Sequence, residues 1–304
     1  MSTCPAVATP QLSFTDSVRN HPLFDWLLLL APGMIWGGSF LFIAEALESV
    51  GPFGIAFLRI LIGFATLSLL PAVRRPLSGA DWRATAWVGL LWMAFPLCMF
   101  PLAEQHVSSA LTGMLNGATP LFTAAVTALL TRKLPQRKIA LGLAVGLGGA
   151  VLMAVAGGAG RMQGEWSGIA MILAALLSYG IAFNLAVPLQ RRAGALPVLW
   201  RALGVGVILT APLGLPEVFA AQWKLSGVLS ILALGALGTG LAFVIFGAAA
   251  GRLGPTRASA TTFLTPVVAL LLGVLLRGES VAVLSIAGAA ICLGGAWLIR
   301  AGAR

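Results

Sequence analysis

The chain has 304 residues, of which 59% are hydrophobic and 9% are charged, with a formal net charge of +10. This charged fraction is about a third of what a soluble globular domain carries, so the composition excludes a water-soluble protein. It also excludes intrinsic disorder, which requires low hydrophobicity and high charge. The composition therefore indicates an integral membrane protein.

The segment ahead of the first apolar run, residues 1–25, is polar and contains several Pro, Ser and Thr residues. We interpret it as a disordered cytoplasmic tail. A cleaved signal peptide would have a shorter apolar core and a small-residue cleavage site. We therefore expect the first apolar run to be retained as a membrane span.

Charge-free windows predict the membrane spans, since a transmembrane helix takes about 20 consecutive apolar residues. Eight such windows run over residues 26–44, 84–103, 107–131, 139–160, 166–190, 225–251, 258–276 and 280–299. Two further apolar stretches, 52–73 and 195–216, contain one arginine each, Arg59 and Arg201. One arginine costs only about 2.5 to 3.5 kcal/mol on insertion. The sequence therefore predicts an all-α integral membrane protein with ten transmembrane helices.

The basic residues predict the orientation of these spans, because cytoplasmic loops carry an excess of Lys and Arg. With the N-terminus inside, fourteen basic residues fall in cytoplasmic segments and three fall outside, namely Arg161, Lys224 and Arg277. Both termini are then cytoplasmic. The positive net charge thus describes membrane topology, and we expect the lipid bilayer and no nucleic acid as a partner.

The two halves of the chain repeat each other. An offset of 146 residues superimposes Thr119-Pro120-Leu121-Phe122 on Thr265-Pro266-Val267-Val268, one of 143 superimposes Trp36-Gly37 and Phe40 on Tyr179-Gly180 and Phe183, and one of 142 superimposes Arg59 on Arg201. We therefore predict two five-helix repeats, at residues 26–160 and 161–304. Because five is odd, the second repeat is inverted in the membrane, which is typical of transporters with a substrate site near the midplane.

Taken together, these features resemble the drug/metabolite transporter (DMT) superfamily, EamA type. The resemblance rests on the ten spans in two repeats, the run Trp36-Gly37-Gly38-Ser39-Phe40, Arg59 in the second span, and the Thr-Pro sites of the fourth and ninth spans. It covers about residues 26–300 and looks most like bacterial amino-acid exporters, including the YddG-like ones. The resemblance implies a central cavity surrounded by spans one, three, four, six, eight and nine, with spans five and ten at the periphery.

Few polar residues lie at mid-membrane depth, and they are candidate substrate contacts because polar groups in lipid are costly. Aromatic residues in the spans that the family places around the cavity complete the candidate set. This substrate-binding set comprises Trp36, Ser39, Phe40, Phe95, Asn116, Tyr179, Phe183, Asn184, Thr239, Phe243 and Thr262. For each polar member, a hydrogen bond to a neighbouring helix is the alternative role. An apolar pocket with few amides and hydroxyls suits a neutral or zwitterionic, amino-acid-like solute.

Proline and glycine positions predict how the spans bend and pack. Pro120 and Pro266 occupy matched positions, and each removes a backbone hydrogen bond and kinks its helix, so we predict that they act as hinges. Glycines at four-residue spacing allow close helix packing. Such pairs are Gly33/Gly37, Gly113/Gly117, Gly142/Gly146 and Gly247/Gly251.

The two intramembrane arginines have alternative roles. Arg201 lies near the inner face and can extend its guanidinium to the interface. Arg59 lies about 10 Å from the outer end of its span, at about 1.5 Å per residue. It can bind a solute carboxylate, but we expect it to pair with helix carbonyls or with Glu45.

The sequence contains no catalytic or metal-binding constellation. There is no HExxH or GxSxG motif and no pair of carboxylates inside a span, and the two histidines, His21 and His106, lie in the tail and an outer loop. The three cysteines lack metal or redox spacing. We therefore expect no enzyme activity, no metal and no cofactor.

The sequence thus predicts an exporter of small metabolites, above all neutral or aromatic amino acids, in the bacterial inner membrane. It would work by alternating access, and as a facilitator, because the deep parts of the spans hold no Asp, Glu, Lys or His to carry a proton. One alternative is a proton-coupled small-molecule or drug efflux pump, with Glu45 or His106 as the titrating group. Another is a membrane-embedded lipid-modifying enzyme, which the missing catalytic motifs disfavour.

Overall fold

A computed structural model of the chain describes residues 22–132, 136–158, 164–253 and 261–302. Within these ranges the backbone is helical apart from short turns and connections, and no strand occurs among them. The all-α prediction is therefore confirmed for the described residues. The predicted disordered tail lies outside them as far as residue 21.

The helices of the first half follow each other through short connections. Helix α1 spans Pro22–Ala46 and α2 spans Pro52–Ser68. Helix α3 runs through Gly79–Val88, Gly89–Ala94 and Phe95–Glu104, of which the middle segment is π-helical. Helix α4 consists of Ser109–Asn116 and Thr119–Thr131, and α5 spans Arg137–Gly158.

The second half contains a similar series. Helix α6 spans Gly164–Ala193 and α7 spans Ala195–Phe219. Helix α8 runs through Leu225–Leu232, Ala233–Leu241 and Ala242–Leu253, again with a π-helical middle segment. Helix α9 spans Thr261–Arg277, and α10 spans Val283–Gly302.

Seven of the described helices, α1 and α3 to α8, are long and apolar enough to cross a membrane. Helices α2, α9 and α10 are apolar over shorter described lengths, Pro52–Ser68, Phe263–Arg277 and Val283–Ile299. The protein is therefore a helical membrane protein, while the count of ten spans and the cytoplasmic termini stay predictions.

Some helix ends differ from the charge-free windows, because local chemistry rather than charge starts or stops the helix. Helix α1 begins at Pro22, inside the predicted tail, since proline suits the first turn and Asp25 lies at the positive end of the helix dipole. Helix α2 ends at Ser68 instead of residue 73. Pro71 disfavours helix at the residue before it and opens a short 3-10 turn, Pro71–Arg74.

The helices pack in a pattern that is unchanged when the two halves are exchanged. Helix α1 packs on α9 and α6 on α4; α2 packs on α8 and α7 on α3; α3 packs on α6 and α8 on α1. The other large contacts, α2 with α7, α4 with α9 and α5 with α10, join helices at the same place in each half.

Polar contacts group the connections into two ends. At one end, the Gln222 N–H donates to Ser49 O (3.0 Å), and Glu48 pairs with Lys224 (3.1 Å) and Arg277 (3.6 Å). These bonds join the connections that follow α1, α7 and α9. At the other end, Arg192 Nε of α6 pairs with Asp81 Oδ1 of α3 (2.7 Å). In both cases the joined segments are ones that the charge count assigns to the same side.

Buried apolar side chains form two main clusters. The larger one includes Ile43, Leu115 and Ile172, and the second one includes Ile60 and Leu203. Phe40 of the first cluster and Met93 of the second also line a central cavity, so both clusters support its walls.

Candidate functional site

A cavity of about 130 Å³ lies among the helices. On the same measure one water needs about 10–15 Å³, so the space is sufficient for roughly ten waters or for part of a small solute. Helices α1, α3, α4, α6, α8 and α9, which the family resemblance implies, all contribute, and α2 adds one residue. The lining consists of Trp36, Ser39, Phe40, Arg59, Trp92, Met93, Leu97, Phe100, Asn116, Thr119, Tyr179, Phe183, Gly238, Thr239, Phe243 and Thr265.

Most of this lining consists of pairs related by the sequence offsets. Twelve of the sixteen residues form six such pairs, namely Trp36/Tyr179, Phe40/Phe183, Trp92/Gly238, Met93/Thr239, Leu97/Phe243 and Thr119/Thr265. The cavity therefore lies where equivalent parts of the two halves meet. The unpaired members include two of its polar residues, Arg59 and Asn116.

The π-helical segments of α3 and α8 both contribute residues to the lining. A π-helical turn is wider than an α-helical one and often marks a functional site. In α8, Gly238 O accepts a hydrogen bond from Trp36 Nε1 (3.0 Å), and in α3, Leu91 O accepts one from Ser178 Oγ (2.7 Å). The donors belong to α1 and α6, so each π-helical segment is fastened to the first helix of the opposite half.

Aromatic rings form one continuous cluster along the cavity. Tyr179 and Phe183 are stacked, with ring centroids 5.6 Å apart, and Trp92 lies edge-on to Phe183 (4.9 Å) and Phe243 (5.5 Å). Trp36 contacts Phe243 at 5.7 Å. Such rings offer apolar and π contacts with definite geometry, which suits a planar or branched apolar side chain.

Polar groups are placed at separate points of the wall. Asn116 lies at the end of the first segment of α4, and its Oδ1 accepts a hydrogen bond from Thr119 Oγ1 (3.3 Å). Ser39 Oγ donates to Ile35 O (3.0 Å). Arg59 is 8% exposed, and its Nε donates to Thr239 Oγ1 (3.0 Å). Arg59 is the charged member of the described lining.

The expected pairing of Arg59 with helix carbonyls or with Glu45 is wrong for the described residues. Glu45 Oε2 accepts instead from Arg277 Nη1 (2.9 Å), because the end of α9 reaches the end of α1. Arg59 uses a side-chain hydroxyl of α8. The partner, Thr239, is 180 positions from Arg59 in the sequence. Positions within α1 and α2 alone could not identify it.

Three predicted site residues do not belong to the described lining. Phe95 of α3 is 37% exposed and is not part of this lining. Asn184 is held by helices, since its Nδ2 donates to Gly180 O (2.8 Å) and its Oδ1 accepts from Thr127 Oγ1 (2.9 Å). Thr262 lies in α9, and its side chain is outside the described residues.

Several lining residues were not predicted. They are Trp92, Met93, Leu97, Phe100, Thr119, Gly238 and Thr265, besides Arg59, which was assigned elsewhere. The repeat contains the signal for two of them. Applying the 146-residue offset to the predicted Thr239 and Phe243 leads directly to Met93 and Leu97.

The two matched prolines occupy different places in their helices, and the break in α4 lies against one of them. Helix α4 is interrupted at Gly117 and Ala118, so that Pro120 occupies the first turn of its second segment, whereas Pro266 lies inside α9. A Cβ on Gly117 would be 2.7 Å from Pro266 Cγ. The interruption of α4 therefore packs directly against the proline of α9.

Carboxylates at the end that carries Glu48 are mostly bound. Glu217 Oε2 accepts from the Gly54 N–H at the start of α2 (2.7 Å), and Glu279 Oε2 accepts from the Ala110 N–H at the start of α4 (2.8 Å). The hydrogen bond and the charge of Lys224 hold the pKa of Glu48 below its ordinary value. These contacts join the helix ends on this side of the protein through ion pairs and helix caps.

Glu104 differs from these carboxylates. It is the last residue of α3, and both of its carboxylate oxygens are enclosed without a hydrogen-bond partner among the described residues. Arg277 and Glu279 line the same pocket as Glu104. The adjoining helices cover the end of α3 and enclose this carboxylate.

The chain matches one protein family over nearly its whole length. Residues 24–155 and 166–301 each match the family described as "EamA-like transporter family". The two matched ranges correspond to the two halves described above.

Individual relatives also match this chain over most of both lengths. The chain is 29% identical to the "Probable terminal-alkyne amino-acid exporter" of Streptantibioticus cattleyicolor, over 90% of this chain and 92% of that protein. It is 31% identical to the "Uncharacterized inner membrane transporter YedA" of Escherichia coli K12, over 85% and 84%. It is 27% identical to the "Probable amino-acid metabolite efflux pump" of Salmonella typhimurium, over 90% and 94%.

A solved crystal structure has the same fold. It aligns with a TM-score of 0.59 and 18% identity, and the alignment covers 89% of this chain and 98% of the other. At this identity the likeness concerns the fold alone.

Proposed function

This chain belongs to the EamA-like transporter family, and on that premise we propose that it exports small amino-acid-like solutes, neutral or aromatic, by alternating access. The observation that carries this proposal is the aromatic cavity lined by six repeat-matched pairs of residues. A site built from equivalent parts of two halves can be exposed to either side when one half moves against the other.

The proposed architecture is ten spans in two inverted repeats, residues 26–160 and 161–304, with both termini cytoplasmic. The exchangeable packing pattern of α1 to α10 supports it. The two ranges matched by the family, 24–155 and 166–301, support the division into halves. In this arrangement the interrupted α4 and the proline-containing α9 act as hinges at Pro120 and Pro266.

The membrane is the bacterial inner membrane. The described helices that can cross a membrane support a multi-pass protein, and the YedA relative is named as an inner membrane transporter. The end of the protein that carries Glu48 then lies at the outer face of that membrane.

The substrate class follows from the lining and from the relatives. Stacked and edge-on rings surround a few amide, hydroxyl and guanidinium groups, which suits a solute with an apolar side chain and a small polar head. Two relatives are named for amino-acid compounds. In the proposed site the contacts are made by Trp36, Ser39, Phe40, Asn116, Tyr179, Phe183, Thr239 and Phe243.

Facilitated diffusion is the proposed mode of transport, because no Asp, Glu, Lys or His belongs to the described lining of the cavity. An arginine keeps its proton over the usable pH range, so Arg59 cannot supply a proton cycle. The direction of export is then set by the gradient of the solute.

Proton-coupled export is the second candidate, and Glu104 is the observation that favours it. An enclosed carboxylate without a hydrogen-bond partner is costly when ionised, so it can bind and release a proton as its surroundings open and close. The charged groups facing it are Glu279, Arg277 and, more remotely, Arg59.

The test is counterflow in proteoliposomes containing the purified protein. Vesicles loaded with unlabelled phenylalanine should take up labelled phenylalanine with no ion gradient imposed, and protein-free vesicles should not. A panel of neutral and aromatic amino acids defines the range of solutes. If none of them is carried, the proposed function is wrong.

A pH gradient separates the two modes. A facilitator transports phenylalanine at nearly the same rate with and without the gradient. If a pH gradient alone drives accumulation above equilibrium, and Glu104→Gln abolishes this accumulation while Glu45→Gln does not, the second candidate replaces the first.

A further inference from the structure

Arg59 is a charged side chain whose orientation is fixed but whose donors are mostly unused. It is 8% exposed, and its Nε donates to Thr239 Oγ1 (3.0 Å). Thr239 is 1% exposed, and its hydroxyl donates in turn to Leu234 O (3.0 Å). This chain of bonds holds the plane of the guanidinium against the π-helical segment of α8.

The terminal nitrogens of Arg59, Nη1 and Nη2, have no acceptor among the described residues. The wall beside them is open, because Gly238 has no side chain. A Cβ at Gly238 would lie 3.6 Å from Arg59 Nη2 and 3.1 Å from Ser39 Oγ. Both Arg59 and Gly238 line the cavity, so the unused donors belong to its wall.

Arg201, the counterpart of Arg59 in the other half, is surrounded by different contacts. Its Nη1 donates to Val73 O and Pro197 O, both at 3.1 Å. Its guanidinium carbon also lies 5.7 Å from the ring centre of Trp82 and 5.3 Å from that of Trp200. Among the described residues, Arg201 thus binds two backbone carbonyls and lies against two tryptophan rings, whereas Arg59 binds one side-chain hydroxyl.

A buried guanidinium without an anionic partner is unfavourable unless water or a ligand completes its hydrogen bonds. The parallel N–H groups of a guanidinium match the two oxygens of a carboxylate. One arginine in an otherwise aromatic wall balances one negative charge, which fits a monocarboxylate better than a phosphate ester. The chemistry of the site thus selects a ligand with a carboxylate at one end and an apolar group at the other.

We propose that Arg59 binds the carboxylate of the transported solute through Nη1 and Nη2, while Thr239 holds Nε and the aromatic cluster receives the solute's side chain. This inference rests on the proposed function and makes it narrower. A free carboxylate becomes a requirement for transport, so amino-acid amides and decarboxylated amines should be rejected.

Competition in the counterflow assay tests the requirement. In the parent protein, unlabelled phenylalanine and 3-phenylpropionate should inhibit uptake of labelled phenylalanine, whereas phenylalaninamide and phenethylamine should inhibit at least about tenfold more weakly. In Arg59→Gln, phenylalanine should lose about tenfold in apparent affinity and approach the amide. Arg59→Lys, which keeps the charge without the planar pair of donors, should lie between the two. The control Arg201→Lys should leave the ratio of acid to amide unchanged.

Binding to the purified protein provides an independent measurement in detergent. We expect 3-phenylpropionate to raise the melting temperature of the parent and of Arg201→Lys and to leave that of Arg59→Gln unchanged. Phenethylamine, added as a control compound, should leave the melting temperature of the parent unchanged. An Arg59→Gln protein that still discriminates between phenylalanine and its amide would overturn the inference and leave the proposed function standing. If the parent carries no amino acid, the proposed function fails, and the melting experiment alone decides: an Arg59-dependent shift supports the carboxylate site, and its absence overturns it. Should Arg59→Gln not fold, Arg59→Lys decides by the same comparison.

Discussion

At the scale of single residues, two asparagines predicted at mid-membrane depth have different roles. Asn184 donates to Gly180 O and Thr123 O and accepts from Thr127, so helices satisfy it. Asn116 only accepts from Thr119, and it lines the cavity. From sequence both were predicted as substrate contacts, because both are amides at mid-span. Only the packing of α4 against α6 distinguishes them.

We expect Asn116→Ala to lower the transport rate by about tenfold and Asn184→Ala to leave it within about twofold. The cavity amide contacts a solvated solute, whereas loss of an interhelical hydrogen bond in a membrane costs about 0.6 kcal/mol. Trp36→Ala and Tyr179→Ala, which remove aromatic contacts, should behave like Asn116→Ala. Counterflow measures the rates, and the amount of inserted protein is the control. Parental rates for all three cavity variants would show that the cavity is not the substrate site.

The aromatic residues show why part of the site could be predicted. Trp36, Phe40, Tyr179 and Phe183 were identified because the repeat gives each a partner and because the family resemblance places their helices at the centre. Phe95 was predicted from the family resemblance alone, without a repeat partner, and it does not belong to the described lining. The π-helical segment Gly89–Ala94 ends just before it, and a π-helical turn changes the direction of the following side chains. The family resemblance identifies the helix, but it does not say which side chains of that helix reach the cavity.

At the scale of helices, glycine spacing predicted close packing correctly at some positions only. In α5, a Cβ on Gly142 would lie 2.7 Å from Gly295 O of α10, as the spacing suggests. At Gly247 of α8, a Cβ would meet nothing within 4 Å, and the side-chain position of Gly251 is outside the described residues. Spacing identifies a surface on which backbones can approach, but the partner helix decides whether they do.

Two adjacent glycines of α5 allow a sharp test of the α5–α10 contact. A Cβ on Gly149 would lie 2.6 Å from Gly288 O and also meet the backbone nitrogen of Cys292, whereas one on Gly148 would meet nothing within 4 Å. We expect Gly149→Ala to destabilise the protein by about 1–3 kcal/mol, as overpacking does. Gly148→Ala should be neutral or slightly stabilising, since alanine is the better helix former.

The measurement for this pair is the melting temperature in detergent, together with the yield of monodisperse protein. The two variants add the same methyl group to neighbouring positions of one helix, so the insertion cost is matched. Equal melting temperatures would mean that α5 and α10 do not pack through their backbones.

At the scale of the whole molecule, the exchangeable packing pattern and the two groups of connections have one common explanation. In the proposed inverted repeat, two halves of the same build are inserted in opposite directions, which would place equivalent helices side by side and leave unlike loops at each end. The end with Glu48, Lys224 and Arg277 is joined by ion pairs, while the charge count assigns most of the basic residues to the opposite side. The sequence repeat predicts this arrangement, but the interruption of α4 and the enclosure of Glu104 depend on neighbouring helices that no local pattern reveals.

Topology mapping tests this arrangement directly. Reporters fused after positions near Gly79 and Gln136 should report the cytoplasm, and those near Ser49 and Gly278 the outside, because fourteen basic residues fall on the first side and three on the second. The structure adds a constraint, since the connection containing Ser49 is bonded to Gln222 and Lys224 after α7. A reporter near Gln222 must therefore agree with the one near Ser49. If these two reporters disagreed, the segments assigned to the end that carries Glu48 would have to be reassigned. A C-terminus found outside would make the number of spans odd and contradict the inverted repeat.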